Sequence, residues 1–200
     1  AARAGADAKL SQDGRDRCGV FIGLGLEPNT TNFGSRGSLA GCVRRWAREK
    51  GWELSADDER RWTQALREAA GPALSANRTM GALGGIVASR IAREFQIGGP
   101  SFTVSSEESS SLRALELGVR ALQRGELDSA VIGGVDIAGD LRCVLSAHEA
   151  RPYSRSGRCR PFDVAAEGTV PGEGAAAVVL KRLDDALRDG DRVYAVVKGI

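Results

Sequence analysis

Two adjacent carboxylates, Glu107 and Glu108, stand where a short strand turns sharply into a helix, in the run Gly99-Pro100-Ser101-Phe102-Thr103-Val104-Ser105-Ser106-Glu107-Glu108-Ser109-Ser110-Ser111-Leu112. Such a strand-to-helix turn is where acyl-transfer enzymes display a nucleophile. A thiolate at that helix N-terminus would be a strong nucleophile, and its thioester product could be attacked again by a carbanion. A carboxylate in the same field stays an anion and is a poor acyl carrier. The turn therefore has the shape of a catalytic elbow without a thiol or an activated hydroxyl at its tip. A second reading needs no chemistry: Ser105 followed three residues later by Glu108 is a capping box. Acidic residues in a first turn also gain about 0.3–1 kcal/mol from the helix dipole. The two readings are compatible, because a lost active site can also serve as a cap.

The elements that must position these groups are legible on either side. Phe102 and Val104 alternate with Ser101, Thr103 and Ser105, the period of a strand with one buried side. After Glu108 the period changes: Leu112, Leu115, Val119 and Leu122 recur at helical spacing, with Arg113, Glu116, Arg120 and Gln123 on the opposite face. Glu116 and Arg120 are one turn apart, a supporting pair, and Gly125 ends the helix. The apolar run from Leu127 to Asp136 then suits a strand buried on both faces. Strand, helix, strand in that order is a right-handed crossover unit.

Other residues offer little to replace the missing thiol. Cys18, Cys42, Cys143 and Cys159 are far apart, none follows a strand-to-turn junction, and no CxxC or Cys/His metal spacing occurs. They read as buried or incidental reduced thiols, consistent with a cytosolic protein. His148, the single histidine, falls near a predicted helix C-terminus, where a partly charged imidazole is favourable. Ser109, Ser110 and Ser111 lack a surrounding G-x-S-x-G and a matched base. Gly23-Leu24-Gly25 is not G-x-G-x-x-G, so nucleotide binding has little support. Gly172 and Gly174, around Glu173, are predicted to permit a close backbone approach beside the site.

Composition bounds the class. The 200 residues, 42% of them hydrophobic, can bury a substantial core as a soluble α/β protein. A net charge of +2 with interleaved signs gives no case for nucleic acid, and no apolar run approaches membrane-spanning length. Arg151, Arg155, Arg158 and Arg160 form a local basic loop, ordinarily a solvated surface.

On these motifs the chain resembles the β-ketoacyl synthases, the condensing enzymes of fatty acid and polyketide synthesis, whose elbow reads like GPS-x-x-V-D-T-A-C-S-S-S-L. Aligning Gly99-Pro100-Ser101 with Ser109-Ser110-Ser111-Leu112 places Glu108 on that family's acyl-carrying cysteine. The resemblance continues, in the family's order, through Asp128–Val135, Arg160-Pro161-Phe162-Asp163 and Gly172–Lys181. Ser75–Arg78 and Ala88–Ile91 are similar to the helical stretch leading into the elbow. The resemblance covers residues from about Gly19 to Lys198. It implies a thiolase-like layered α-β-α-β-α fold, present here as the middle portion of a domain. Ser-Ser-Glu-Glu in place of Asp-Thr-Ala-Cys, together with the segment from Cys18 to Phe33, is most similar to the chain-length-factor copies of polyunsaturated-fatty-acid, polyketide and glycolipid synthases.

That resemblance carries further expectations. Residues 1–16 would be the tail of an upstream linker or helix, 17–171 most of the N-terminal half of the domain, and 172–200 the opening of its C-terminal half, with Ala175–Leu180 as its first strand. Val193 to Ile200 reads as a closing apolar strand. Both histidine motifs of the family's chemistry would lie beyond Ile200, and His148 matches neither. Glu173 would be structural, and Phe102–Ser105 would pair with the same strand of a dimer partner. No cofactor would be bound; acyl groups would arrive on the phosphopantetheine of an acyl carrier protein, for which the basic loop is a candidate receiver. Ahead of the elbow, Leu39, Cys42, Val43 and Trp46 mark one amphipathic helix, and Trp62, Ala65, Leu66 and Ala69 another, capped by Ser55 with Asp58. Trp46, Trp52 and Trp62 read as helix core or as interface anchors.

The leading expectation is a non-condensing partner of a cysteine-bearing ketosynthase or of an identical subunit, located in the cytoplasm. Family members with glutamine at the Glu108 position decarboxylate a malonyl group on a carrier protein, so a malonyl-carrier decarboxylase or an unusual condensing enzyme is the alternative. Ionised Glu108, with Glu107 beside it, would repel malonate. An unrelated α/β binding domain would require the ordered motifs to be coincidental.

Overall fold

A computed structural model describes residues 1–10, 14–25, 29–71, 75–137 and 141–200, without side-chain detail for 29–35, 78–79, 82 and 141–143. In chain order the elements are α1 (Ala2–Asp7), β1 (Cys18–Leu24), α2 (Asn29–Lys50), α3 (Ala56–Ala69), α4 (Ala76–Ala82), α5 (Ile86–Glu94), β2 (Ser101–Val104), α6 (Ser110–Gln123), β3 (Ser129–Asp136), α7 (Leu141–Ala150), β4 (Gly174–Lys181) and α8 (Leu183–Arg188). They form two compact units, Ala1–Leu26 with Gly85–Ile200, and Glu27–Gly84.

The first unit is a four-stranded sheet in the order β2-β1-β3-β4. The sequence of β1, Cys-Gly-Val-Phe-Ile-Gly-Leu, has no polar side chain to send to water, and the strand occupies the buried centre. It pairs in parallel with β2 on one side, Phe21 opposite Phe102, and with β3 on the other, Phe21 opposite Ile132. Strand alternation sorts the core onto two faces. Cys18, Val20, Ile22 and Val131 pack with Ala88 and Ala92 of α5. Phe21, Ala130 and Ile132 pack with Ala114 and Leu122 of α6. The result is one helix-sheet-helix sandwich of an α/β fold.

The β2-α6-β3 unit expected from the sequence is present, with α6 crossing over β1 to join two strands that flank it. Its buried stripe differs from the predicted one. The buried positions are Ser110, Ala114, Gly118 and Leu122, while Leu112 is exposed and Leu115 only partly covered. Small residues let the helix axis come closer to the sheet than a leucine stripe would, and that proximity outweighs the area the leucines would bury. Arg124 and Gly125, the latter at φ +67°, end the helix as predicted. Glu116 takes Arg113 and Arg120 as ion-pair partners at 2.6 and 2.5 Å.

β4 pairs antiparallel with β3 along its whole length, from Ser129 opposite Lys181 to Asp136 opposite Gly174. The strand predicted to open a following half thus extends the sheet that carries the elbow. Val193–Ile200, predicted as a strand, has no regular structure and pairs with none of the described strands. Without a ladder partner, this apolar run cannot satisfy its backbone groups as a strand.

In the second unit α2 follows the predicted period, with Val43 buried and Leu39, Cys42 and Trp46 half-buried, whereas α3 follows it only at the half-buried Trp62 and Leu66: Ala65 and Ala69 are exposed, and the buried residue is Thr63. Ser55 caps α3, its hydroxyl accepting from the Asp58 amide at 3.1 Å. Val43 and Ala47 are buried, and the tryptophans cluster, with Trp62 5.7 Å from Trp52 and 6.5 Å from Trp46. Leu26-Glu27-Pro28, part of the segment matched to the chain-length-factor subgroup, lies outside the described residues.

Candidate functional site

The elbow lies at the carboxyl end of the parallel strands β1, β2 and β3, where open α/β sheets ordinarily place their ligands. From Val104 the chain passes through Ser105 and Ser106 into a single 3-10 turn, Glu107–Ser109, and then into α6. Glu107 has φ +48°, a left-handed conformation that a non-glycine residue rarely adopts. The predicted capping box does not form. The residues preceding the two helical turns are Ser106 and Ser109, and neither makes a side-chain cap bond. Ser110 takes over instead: its buried hydroxyl accepts from the Ser106 amide at 2.9 Å and donates to the Glu107 carbonyl at 2.5 Å. With one amide and one carbonyl satisfied by a single side chain, the turn closes tightly before α6 begins.

Two glycines let α6 start this low on the sheet. A Cβ on Gly134 would lie 2.7 Å from the Cβ of Ser111, and one on Gly23 would meet the backbone of Ser110 and Ser111. The predicted close approach at Gly172 and Gly174 is absent, since both have open space where a Cβ would go. They sit at the entry to β4, with Gly174 opposite Asp136, and need no contact to explain them.

Glu108 is not the bare carboxylate of the sequence reading. Its side chain, 65% exposed, forms an ion pair with the guanidinium of Arg151, 59% exposed. Arg151 follows the last residue of α7, and its amide continues the helix by donating to the Ala147 carbonyl at 2.8 Å. The chain beyond it is tied back. The Tyr153 amide donates to His148 Nδ1 at 3.0 Å, and Tyr153 bridges Thr169, with the Ser154 amide donating to the Thr169 carbonyl at 2.8 Å. Glu167 accepts from Ser156 and Ser154, and these hydroxyls, Ser156 first, hold its carboxyl below the usual carboxylate range. The basic loop is therefore a closed structure whose first arginine reaches the elbow. No spacing rule signals a pairing between segments so far apart in sequence.

The remaining predicted residues sit elsewhere in the chemistry. His148 lies in the last turn of α7, as expected, but its Nδ1 is an acceptor in a local bond. Cys18 is buried, and burial pushes its thiol up, partly offset by hydrogen bonds with Ser129 and Val131. Cys42 and Cys159 are free thiols, and the side chain of Cys143 lies outside the described residues. Phe162 of the Arg160–Asp163 motif is fully exposed at φ +64°. Ser105, Glu107 and Ser109 are exposed around Glu108. Phe102 stands on the edge strand, 41% exposed, its ring edge-on to Phe21 at 4.9 Å. Among the described residues no group of three His, Cys, Asp or Glu side chains converges as a metal site, and no helix is long and apolar enough to cross a membrane.

At the opposite end of the sheet Asp128 accepts from Arg17 Nε at 2.7 Å and from Arg182 Nη2 at 2.7 Å. Those two hydrogen bonds, Arg17 first, hold its carboxyl at about 2. Arg182 also donates to the Leu127 carbonyl at 2.6 Å and the Leu122 carbonyl at 3.2 Å, fastening the end of α6 to the start of β3. This network positions the crossover and lies away from the elbow.

Residues 1–186 match the sequence family described as Beta-ketoacyl synthase, N-terminal domain. Over 110 residues, 55% of this chain and 5% of the relative, the chain is 47% identical to phthioceranic/hydroxyphthioceranic acid synthase of Mycobacterium tuberculosis (strain ATCC 25618 / H37Rv). Over 114 residues, 57% of this chain and 5% of the relative, it is 42% identical to the mycocerosic acid synthase-like polyketide synthase of Mycolicibacterium smegmatis. Among solved structures, the ketosynthase from module 6 of the bacillaene synthase of Bacillus subtilis 168 superposes with a TM-score of 0.62 at 29% identity, covering 94% of this chain and 26% of that one. The PfaC keto synthase-chain length factor superposes with a TM-score of 0.68 at 26% identity, covering 82% and 18%. The chain spans 5% of the length of these curated relatives and about a quarter or less of these solved chains.

Proposed function

We propose, on the premise that this chain belongs to the β-ketoacyl synthase family, that it is a non-condensing ketosynthase-like domain of a polyketide or fatty acid synthase. Its role is that of a chain-length factor: it shapes the acyl pocket of a cysteine-bearing sister. The observation that carries this reading is Glu108 at the tip of the elbow, engaged by Arg151. Condensation needs an atom that accepts an acyl group and releases it to a carbanion. A carboxylate paired with a guanidinium is not such an atom. The solved structures on which the chain superposes include both ketosynthases and a keto synthase-chain length factor, PfaC.

The rest of the assembly follows from the family. Acyl groups reach the domain on the phosphopantetheine of an acyl carrier protein, and no further cofactor is bound. The dimer partner is a cysteine-bearing ketosynthase or an identical subunit, joined through Phe102, Thr103, Val104 and Ser105. In support, β2 is an edge of the described sheet and exposes Phe102, a row of unpaired backbone groups that a second strand would cover. The free thiols of Cys18, Cys42 and Cys159 fit a reducing cytoplasm.

One observation favours a second reading, a malonyl-carrier decarboxylase. Arg151 places a cation beside Glu108, so the elbow repels a malonyl carboxylate less than two bare glutamates would. Mass spectrometry of malonyl-carrier protein incubated with the full-length protein separates the two. In the presence of a cysteine-bearing sister, turnover that survives Glu108→Ala is the expected result. Loss of carbon dioxide with the protein alone, abolished by Glu108→Ala, would establish the decarboxylase instead.

A further inference from the structure

Both ends of the Glu108–Arg151 pair rise from backbone that is already fixed. On the elbow side the Ser110 hydroxyl locks Ser106 to Glu107. On the other side Arg151 continues α7, and the following chain is closed by the Tyr153–Thr169 bridge and by the Tyr153 amide on His148. An exposed ion pair between two floppy segments contributes little, because ordering both side chains costs what the charges gain. Here the backbone cost is met before the pair forms, and the first turn of α6 favours an anion at the same place. Ser105, Ser106, Glu107 and Ser109 around it are exposed and offer no competing cation.

We propose that Arg151 is a positioning residue for Glu108: its guanidinium holds the carboxylate across the elbow, so that an internal ion pair occupies the place where an acyl group would be loaded. The inference rests on the non-condensing reading and names the residue that enforces it. It also makes the Arg151 guanidinium an anion receptor whose resident anion is part of the chain. Removing the carboxylate without removing Arg151 therefore leaves a cation facing the tip of the elbow.

The test installs a reporter at the tip. In full-length protein carrying Glu108→Cys, alkylation of the introduced thiol by iodoacetamide is followed against pH by peptide-resolved mass spectrometry, which separates it from Cys18, Cys42, Cys143, Cys159 and any other native cysteine. A guanidinium facing the thiol favours the thiolate. Adding Arg151→Ala is expected to slow alkylation at pH 7 by roughly two- to fivefold and to move the profile toward higher pH, whereas Arg151→Lys retains most of the effect. Identical profiles with and without Arg151 would overturn the proposal. A profile that shifts equally with Arg151→Ala and Arg151→Lys would do the same, by tracing the effect to packing rather than charge. Malonyl-carrier turnover by the unsubstituted protein alone tests the chain-length-factor reading separately: carbon dioxide release there would replace that reading with the decarboxylase while leaving the thiol profile to decide the role of Arg151.

Discussion

A Cβ atom on Gly23 would lie 2.5 Å from the Cα of Ser111, so the first turn of α6 rests directly on the backbone of the central strand. Backbone cannot step aside as a flexible side chain can. The elbow is consequently seated by two absent side chains, at Gly23 and Gly134, rather than by a contact. Gly23→Ala is expected to destabilise the protein by about 1–3 kcal/mol, the usual cost of overpacking, with the midpoint of urea unfolding moving and its slope unchanged. Gly25→Ala, where a Cβ meets nothing within 4 Å, is the control and should shift stability by less than about 0.5 kcal/mol. Equal effects at the two positions would remove the argument for close seating.

Glu107 carries the backbone strain of the elbow. Its φ of +48° costs an L-residue about 1 kcal/mol, a conformation glycine adopts freely. Glu107→Gly should therefore leave stability unchanged or raise it by up to about 1 kcal/mol, although it removes a charge from the turn before α6. Glu107→Val, β-branched in the same conformation, should lower it by more than about 1 kcal/mol. Thermal unfolding of the two variants decides this. A stabilising valine would mean that the turn relaxes when substituted.

How far the site was readable in the sequence depends on the range of each interaction. The Ser55–Asp58 cap lies within one turn, and it forms as predicted. The equally local Ser105–Glu108 box fails because Ser110, one turn further on, competes for the same region through its hydroxyl and wins by being buried. β3 was legible because a strand covered on both faces needs a continuous apolar run. The buried stripe of α6 was misread because periodicity weighs leucines, whereas the close fit selects Ala114 and Gly118. The partner of Glu108 had no local signature, since topology alone brings the end of α7 to the elbow. The carboxylate at the elbow tip was visible in one dimension, and its ion-pair partner only in three.

Asp128 sets the acid sensitivity of the crossover. Its carboxyl is held at about 2 in the folded protein, below the ordinary carboxylate value of 3.8, by Arg17 and then Arg182. The folded state therefore binds a proton there less readily than the unfolded chain. The contribution to stability is fully present above pH 3.8 and is lost as pH falls through about 2. Because the side chain is 46% exposed, solvent and salt screen the pair. Stability measured from pH 5 to pH 2 should fall less steeply in Asp128→Asn than in the unsubstituted protein, and the difference should shrink in 1 M salt. Parallel curves would show that the network does not couple to folding.

The Glu108–Arg151 pair should also govern how firmly the loop from Pro152 to Thr169 is held at its first residue. Trypsin reads that loop at Arg155 and Arg158, because Arg151 and Arg160 precede prolines and resist cleavage. Exposed loops are cut from locally opened states, so cleavage reports the free energy that keeps the loop closed. Glu108→Gln is expected to raise the initial rate of cleavage after both arginines by roughly two- to fivefold at low salt, in keeping with one exposed ion pair on fixed backbone. Exchanging the charges, Glu108→Arg with Arg151→Glu, should restore much of the protection, although the arginine then stands at the α6 N-terminus against the helix dipole. The exchange thus separates the two contributions: protection recovered in part assigns the main role to the pair, and protection lost as fully as in Glu108→Gln assigns it to the carboxylate on the helix end alone.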